Sequence, residues 1–366
     1  MRVLLDAVNA PGQPRGVGHY VRELAMHLTA TDDIAVSLAF GSWHRDFYAP
    51  AAMRGVGLIE VRGLPTSRIT RHAWHALRVP SLARAVAADV VHLTELVPAP
   101  RDLRVPLVVT AHDLGEYDLP DTYGALQVRY RRLILRPQLR RADRIVTPSR
   151  ASAERLFVHE PRLRERTKVV AHGPGIAAGT PLAEPTMHIG RSFFLHVGAL
   201  QRHKNVPRLV RAFRGLSDPF IDLVLAGPDD NDAAAVQEAI GTERRVHRLP
   251  AATDGELAWL YTRAVGLVFP TLNEGFGLPI LEGMGFGCPV ITSDRGAPQE
   301  LAGEAAILID PFDEMAIQTA MRQLLEDSGL RGRLVARGLE RAAAYSWQRA
   351  ATEMAEVYRE ALETRG

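Results

Sequence analysis

Two glutamates lie eight residues apart in a glycine-rich segment, PTLNEGFGLPILEGMGFGCPVITSD, which covers residues 270–294. The run VGLVF before it is short and apolar, which indicates a buried strand that stops at Pro270. Glu274 therefore falls in the loop after this strand. Gly275 and Gly277 follow it, and glycine lets a backbone approach a ligand closely.

The residues after this loop predict the start of a helix. We expect Pro279 at its first position, where the missing N–H costs nothing. The free N–H groups and the dipole of such a helix start favour an anion such as a phosphate. Glu282 lies on the same helix, and its carboxylate can accept hydrogen bonds from sugar hydroxyls. The alternative is a glutamate that only stabilises the helix N-terminus.

This segment resembles the retaining GT-B glycosyltransferases of family GT4, whose signature is E-x7-E within a stretch like EGFGLPxLEAMxxGxPVI. Glu274 and Glu282 match the two glutamates. Gly283 and Gly285 replace small residues such as alanine, which should weaken the helix slightly. The resemblance implies that Glu274 holds the donor sugar and Glu282 the ribose. It also implies a donor-binding loop made of Gly275, Phe276, Gly277 and Leu278.

A second candidate element is the segment FFLHVGALQRHKNVPRLVRAF, where Lys204 follows a predicted strand and a glycine. It resembles the family's VGxLxPRKN, in which an arginine–lysine pair holds the donor diphosphate. Lys204 matches the lysine, whereas His203 occupies the usual arginine position and Arg202 precedes it. The resemblance implies that Lys204, with Arg202 as the second cation, stabilises the negative charge of the leaving group. The alternative is solvated charge at a helix start, which the helix dipole mildly disfavours.

The first half of the chain offers two further candidates. The segment DAVNAPGQPRGVGHYVRELAMHL places Gly12, Gly16 and Gly18 between a strand and a helix, without a complete GxGxxG motif. The resemblance implies that Gly16 belongs to a loop over the donor. His112 follows an apolar run and should emerge at the carboxyl end of a strand. Many family members have a histidine here that contacts the donor sugar, and the alternative is a structural histidine.

We expect neither a metal nor another cofactor, because the sequence has no HxxH motif and no DxD pair at a strand end. Asp229 and Asp230 follow a strand in LAGPDDND, where turn formation accounts for them. Lys168 and Lys204 are the only lysines, and a pyridoxal-dependent phosphorylase would need the better-placed Lys204 for its cofactor. The single cysteine, Cys288, excludes an intramolecular disulfide and is expected to pack as a small apolar residue.

The composition is that of a soluble globular protein, with 366 residues, 46% hydrophobic and 23% charged. This length allows two domains of ordinary size. The chain enters a strand at MRVLLDAV, so we expect no signal peptide. No uncharged apolar run reaches the roughly 18 residues of a spanning helix. A cytoplasmic location fits these features, and peripheral attachment to the inner face of a membrane stays open.

The charge is unevenly divided, although the formal net charge is only +2. Residues 1–185 carry 25 basic and 18 acidic side chains, a net +7, and residues 186–366 carry 19 and 24, a net −5. The excess concentrates in RYRRLILRPQLRRADR at Arg129–Arg144, which could contact anionic lipid or could be a solvated helix face. It has no interleaved aromatic platform, so we expect no nucleic-acid binding.

Strand and helix patterns alternate along the whole chain, which predicts α/β layers around mainly parallel sheets. Six strands in each half favour two doubly wound, Rossmann-like domains over one closed barrel. The GT-B resemblance implies the same architecture, with the ligand in a cleft between the domains. The predicted strands are Val3–Val8, Ile34–Phe40, Val90–Leu93, Leu107–Ala111, Arg144–Thr147, Lys168–Ala171, Phe193–Val197, Ile221–Ala226, Val246–Leu249, Gly266–Pro270, Pro289–Ser293 and Ala306–Ile309.

Residues 172–191 are rich in proline and glycine, and we place the domain linker there. We predict an acceptor-side domain at residues 1–180, a nucleotide-sugar-binding domain at residues 190–345 and a C-terminal helix at residues 346–366. Ser346 is a candidate cap for this helix, which by resemblance crosses back to the first domain.

The resemblance covers nearly the whole chain and predicts a retaining, metal-independent glycosyltransferase. It would move a hexose, with mannose from GDP-mannose as the first choice, to a glycan, lipid-linked or small-molecule acceptor. A UDP-glucose or N-acetylhexosamine donor is an alternative. Two other functions stay open on such a fold: a sugar-nucleotide epimerase or hydrolase, and a non-catalytic subunit that binds a nucleotide sugar.

Overall fold

The computed structural model describes residues 1–9, 16–31, 33–65, 68–100, 102–118, 125–187, 189 and 192–365. The chain divides into two compact units. Unit 1 contains Met1–Gly173 and Ser346–Gly366, and unit 2 contains Pro174–Tyr345. Gly12 lies outside the described residues.

Unit 1 is built on a parallel sheet of seven strands in the described residues, in the order β3-β2-β1-β4-β5-β6-β7. In the centre of this sheet Val3 pairs with Val36 on one side and with Val90 on the other. The strands are β1 Arg2–Ala7, β2 Ala35–Gly41, β3 Gly57–Val61, β4 Val90–Leu93, β5 Leu107–Thr110, β6 Arg144–Thr147 and β7 Thr167–Val169.

Helices cover both faces of this sheet, because alternate side chains of a strand point to opposite faces. Val3 and Leu5 of β1 lie in one apolar core, whereas Leu4 lies in the other. The helices of unit 1 are α1 Val17–Leu28, α2 Arg45–Ala52, α3 Arg68–Ala85, α4 Gly115–Asp118, α5 Ala125–Arg141, α6 Arg150–His159 and the last helix of the chain, α14 Trp347–Glu363.

Unit 2 has a parallel sheet of six strands in its described part, in the order β10-β9-β8-β11-β12-β13. Its strands are β8 Ser192–Val197, β9 Ile221–Ala226, β10 Val246–Leu249, β11 Gly266–Phe269, β12 Val290–Ser293 and β13 Ala306–Ile309. Its helices are α7 Val206–Arg214, α8 Ala233–Ile240, α9 Asp254–Arg263, α10 Leu278–Gly285, α11 Gly296–Ala302, α12 Glu314–Glu326 and α13 Ser328–Ala343.

The twelve predicted strands are confirmed to within a residue or two at each end, but strand β3 was missed. Its sequence, GLIEV, begins with glycine and contains Glu60, so it lacks the apolar run that marks the other strands. The reason is its place at the edge of the sheet, where it pairs only with β2 among the described strands. Only Val61 of this strand is buried. Edge strands need less apolar surface than central ones.

The last helix joins the core of unit 1. Ser346 caps it as predicted, because its side chain accepts a hydrogen bond from the amide of Arg349. Met354 and Tyr358 of this helix are fully buried against the same core as Tyr20 of α1. In unit 2, Cys288 is buried as predicted, and burial raises the pKa of its thiol to about 12. It therefore stays protonated and does not act as a nucleophile.

A chain of buried polar groups ties α14 to the sheet of unit 1. The Tyr358 hydroxyl lies 2.8 Å from His92 Nδ1, and His92 Nε2 lies 2.7 Å from Thr110 Oγ1. The Tyr20 hydroxyl completes it at 2.9 Å from the same Thr110 oxygen. Burial lowers the pKa of His92 to about 3, so this imidazole is neutral at physiological pH.

Among the described residues, none of the helices combines the length and the apolar character that crossing a bilayer requires.

The neutral His92 makes the stability of unit 1 sensitive to acid. Its pKa is lowered in the folded state, whereas the unfolded chain takes up a proton below about pH 6.5. Stability is therefore lost as pH falls from about 6.5 towards about 3, by about 1.4 kcal/mol per pH unit for this group. We predict that His92→Gln, which does not titrate, loses about 2 kcal/mol less than wild type between pH 6.5 and pH 5.

Urea unfolding followed by tryptophan fluorescence measures this difference, because three of the four tryptophans, Trp43, Trp74 and Trp347, lie in unit 1. The matched control is His196→Gln in unit 2, where burial lowers the pKa of the histidine to about 4. That variant should leave the acid sensitivity of unit 1 unchanged. Equal acid sensitivity of wild type and His92→Gln would contradict the prediction.

Candidate functional site

Lys204 and Glu274 meet at the carboxyl edge of the unit 2 sheet. Lys204 ends a short 3₁₀ turn after β8, and Glu274 lies in the loop after β11. Lys204 Nζ lies 2.5 Å from Glu274 Oε2 and 4.7 Å from the centre of the Phe269 ring. Lys204 is only 9% exposed, so its charge depends on these neighbours. The structure thus brings two predicted site residues into one ion pair.

Arg202, the predicted second cation, is placed differently. Its side chain is exposed, and its guanidinium forms no hydrogen bond or ion pair within the described residues. Only its backbone amide is held, by a 3.0 Å hydrogen bond to the Asn231 side chain. Arg202 and Lys204 therefore lie in the same turn but in different surroundings, one in solvent and one buried.

Asn205 fastens the loops that carry this ion pair, and sequence reasoning missed it. Its backbone has φ 62° and ψ 29°, the left-handed conformation, which asparagine tolerates better than most side chains. Its amide donates to the carbonyl oxygens of Pro270 at 3.0 Å and Pro311 at 2.7 Å. The loops after β8, β11 and β13 are thus joined through one side chain. The signal in the sequence was an asparagine directly before VP at a helix start.

His196 is a second residue that the sequence reasoning missed. It is fully buried in β8, and its Nδ1 lies 3.0 Å from the Val268 carbonyl oxygen. Burial lowers its pKa to about 4, so the ring is neutral and Nδ1–H is the donor. Its Nε2 has no hydrogen-bond partner within the described residues. A β-carbon on Gly198 would lie 3.8 Å from this nitrogen and 3.7 Å from Lys204 Cε, so both side chains border the space beside Gly198.

The glycine-rich loop turns into α10 at Gly277. This residue has φ 105°, a left-handed conformation that favours glycine, and it caps the helix. The helix begins at Leu278, so Pro279 occupies its second position and the prediction of the first was wrong by one residue. Within the described residues the amides of Gly277 and Leu278 donate to no acceptor. Oriented amides of this kind suit an anionic ligand.

Three further residues of the glycine-rich segment, Gly275, Phe276 and Glu282, are buried. The Phe276 ring packs edge-on against Tyr345 at 5.9 Å between the ring centres. Glu282 is only 7% exposed on α10. Its Oε2 accepts a 2.7 Å hydrogen bond from the Tyr261 hydroxyl of α9. The second glutamate of the motif is therefore a buried, oriented carboxylate.

Gly16 and His112 lie in unit 1. Gly16 is exposed at the start of α1, with φ 62°. His112 follows β5, and its Nε2 lies 2.9 Å from the Thr94 carbonyl oxygen. Burial lowers the pKa of His112, so the neutral ring donates its Nε2–H to this oxygen and keeps a lone pair on Nδ1. His112 thus offers an acceptor to a ligand hydroxyl.

Much of the charge in the arginine-rich segment is paired within unit 1. Arg136 and Arg140 both contact the buried Glu160, at 3.1 and 3.2 Å, and Arg144 contacts Glu360 at 3.2 Å. These bonds favour a structural role for part of the segment, although Leu133 on the same helix is exposed. Membrane contact stays a prediction. No group of three or more metal-ligating side chains occurs in the described part of the chain.

Comparison with known proteins gives two family models in series along the chain. The model described as Glycosyltransferase Family 4 matches residues 14–174, and the model described as Glycosyl transferases group 1 matches residues 187–341. O-antigen chain mannosyltransferase B of Escherichia coli is 30% identical over 265 residues, covering 69% of this chain and 70% of that protein.

A second relative is D-inositol 3-phosphate glycosyltransferase of Corynebacterium glutamicum (strain R). It is 28% identical over 286 residues, covering 72% of this chain and 68% of that protein. Among solved structures, sucrose-phosphate synthase from Thermosynechococcus elongatus superposes with a TM-score of 0.79 over the full length of both chains, at 19% identity. That likeness, with the two parallel sheets, confirms the predicted α/β GT-B fold.

The Lys204–Glu274 pair gives a prediction about stability. Removing one member leaves the other charge largely buried without its partner, which is more costly than removing both. We predict that a double-mutant cycle with Lys204→Met and Glu274→Gln gives a coupling energy of about 1–3 kcal/mol in urea unfolding.

The matched control is the pair formed by Arg211 and Glu314 in the same unit. Its 2.9 Å contact joins side chains that are 47% and 42% exposed. Coupling there should stay below about 1 kcal/mol and weaken with salt. Equal coupling in the two cycles would show that burial adds nothing to the Lys204–Glu274 bond.

Proposed function

The chain belongs to the glycosyltransferases of family 4, and we propose from this premise that it moves a hexose from a nucleotide diphosphate sugar to an acceptor hydroxyl. The observation that carries the proposal is the grouping at the carboxyl edge of the unit 2 sheet. A buried lysine lies there on the loop after β8, Glu274 lies on the loop after β11, and two amides without acceptors and Glu282 follow at the start of α10. These are the groups that a diphosphate and sugar hydroxyls require.

We assign the roles by the chemistry of each group. Lys204 and the amides of Gly277 and Leu278 hold the diphosphate and stabilise the charge that develops as it leaves. Glu274 and Glu282 accept hydrogen bonds from the sugar and the ribose hydroxyls. Arg202 is a weaker candidate for the second cation, because its exposed charge is screened by water.

The ion pair between Lys204 and Glu274 affects how the diphosphate binds. Glu274 pairs with Lys204, so a bound diphosphate would share the ammonium group with this carboxylate. Lys204 carries three N–H donors and can bond both at once. Glu274 is then held next to the leaving group by the same lysine, which places it beside the first sugar carbon.

In unit 1 we propose that Gly16 lets the backbone approach the donor and that His112 Nδ1 accepts a sugar hydroxyl. The neutral state of His112 supports this role, since an imidazolium has no acceptor nitrogen.

We propose a retaining, metal-independent reaction. The acceptor hydroxyl attacks the face from which the diphosphate leaves, and the departing phosphate oxygen takes its proton. No enzyme nucleophile is needed, so catalysis rests on positioning and charge stabilisation. Mannose is the first choice of sugar, supported by the word mannosyltransferase in the name of the Escherichia coli relative, and we propose GDP as its nucleotide. The D-inositol 3-phosphate in the name of the Corynebacterium relative supports a small-molecule acceptor as an alternative to a glycan.

Donor binding is tested by a thermal-shift screen of UDP-, GDP-, ADP- and dTDP-sugars. A ligand at 100 times its Kd stabilises the folded state by about 2.7 kcal/mol, so one nucleotide class should raise the Tm of wild type. Glu282→Ala should lose this shift. The control Glu314→Ala, at an exposed side chain of the same unit, should keep it. Absence of a shift with every donor would contradict the proposed donor site.

The reaction is tested by the products. With a purified acceptor, NMR should show transfer with the anomeric configuration of the donor retained, at a rate unchanged by EDTA. We predict that Lys204→Met lowers kcat by about 100-fold or more, because it removes a donor to the developing charge. Consumption of the donor without any acceptor would favour the hydrolase or epimerase. Inversion of the anomer would overturn the retaining mechanism, and binding without turnover would favour a non-catalytic subunit.

A further inference from the structure

Tyr261 is a buried tyrosine that none of the roles above uses. It lies on α9, is fully buried and donates its hydroxyl hydrogen to Glu282 Oε2 at 2.7 Å. Its ring lies nearly parallel to the Phe286 ring, with an angle of 4° and 6.0 Å between the ring centres. The hydroxyl is therefore held in place by packing on its ring, and the bond crosses from one helix to the next.

The other oxygen of the same carboxylate is confined by a backbone. A β-carbon on Gly175 would lie too close to Glu282 Oε1, so a larger residue at this position would push the carboxylate aside. Gly175 does not have the positive φ that would itself demand glycine. Its missing side chain is thus explained by the carboxylate, not by backbone conformation. Tyr261 thus holds one oxygen of the Glu282 carboxylate, and the absence of a side chain at Gly175 leaves room for the other oxygen.

A glutamate side chain ordinarily loses rotamer freedom when it binds a ligand, which weakens binding. A carboxylate that is held in place beforehand avoids this cost. Two neighbouring hydroxyl groups with a fixed spacing, as on a ribose ring, are recognised best by such an oriented acceptor.

We propose that Tyr261 is a positioning residue that orients Glu282 to select a ribose diol, and so sets the preference for ribonucleotide over 2′-deoxyribonucleotide donors. Gly175 serves the same end by leaving room for the carboxylate. This inference rests on the proposed function, because it takes Glu282 as the group that binds the ribose.

The test is the affinity ratio between each ribonucleoside diphosphate and its 2′-deoxy analogue. We would measure Kd by calorimetry for GDP, UDP and ADP against 2′-deoxy-GDP, 2′-deoxy-UDP and 2′-deoxy-ADP. Wild type should prefer one ribonucleotide by about tenfold or more, the worth of a hydrogen bond to a charged group. Tyr261→Phe, which removes only the hydroxyl, should lose most of this preference.

Two further variants separate positioning from stability. Tyr358→Phe removes another buried hydroxyl, the one 2.8 Å from His92 Nδ1 in unit 1, and should keep the wild-type ratio while losing comparable stability. Gly175→Ala leaves Tyr261 intact but displaces the carboxylate, and it should also lower the ratio. A merely structural Tyr261 would lower Tm and leave the ratio unchanged.

The outcomes distinguish this inference from the proposed function. The role of Tyr261 is overturned, and that of Glu282 kept, if Tyr261→Phe retains the wild-type ratio of ribonucleotide to 2′-deoxyribonucleotide affinity while Glu282→Ala loses the preference. A preference that survives in Glu282→Ala, or no ribose preference in wild type, overturns both. Absence of binding by every nucleotide overturns both as well. Loss of the preference in Tyr261→Phe and Gly175→Ala but not in Tyr358→Phe supports the inference.

Discussion

A parallel sheet can be built only if the chain crosses back over its face after every strand, and this constraint decides where the polar residues of both units lie. All strands then end at one edge, so loops that are far apart in sequence become neighbours. In unit 2 this edge joins Lys204 after β8 to Glu274 after β11, across 70 residues of chain. In unit 1 it places His112, after β5, against the Thr94 carbonyl, after β4.

Burial then decides what these polar residues can do. A lysine that is 9% exposed must have a partner, and Glu274 provides it. The histidines respond in the opposite way, because burial without a charged partner lowers the pKa of His92 and His196 and keeps both neutral. In unit 2 the carboxyl edge of the sheet thus holds a charged pair, while the buried imidazole of His196 in β8 is confined to hydrogen bonding. Asn205 holds the loops that present the charges, at the expense of a left-handed backbone.

Prediction from sequence succeeded where the residue types themselves indicate burial or a helix end. Continuous apolar runs mark strands that are covered on both faces, which is why twelve strands were located and the half-exposed β3 was not. Ser346 correctly predicted the start of the last helix, because serine is a favoured capping residue. His196 and Tyr261 carried no comparable signal, because a single histidine or tyrosine looks the same in a core, a turn or a site. Asn205 was marked only by its place directly before VP at a helix start. Their importance comes from the atoms opposite them.

The sequence by itself determined the alternation of strands and helices, the glycine-rich loop between two glutamates and the identity of the family, because these depend on local pattern and on residue types at fixed spacing. Only the tertiary structure decided that Lys204 bonds Glu274 while Arg202 faces solvent. It also decided that Glu282 is oriented by Tyr261 on another helix. The physical reason is that the burial and the hydrogen-bond partners of a side chain depend on segments that are distant in sequence. A local sequence pattern does not show which of those segments will lie opposite it.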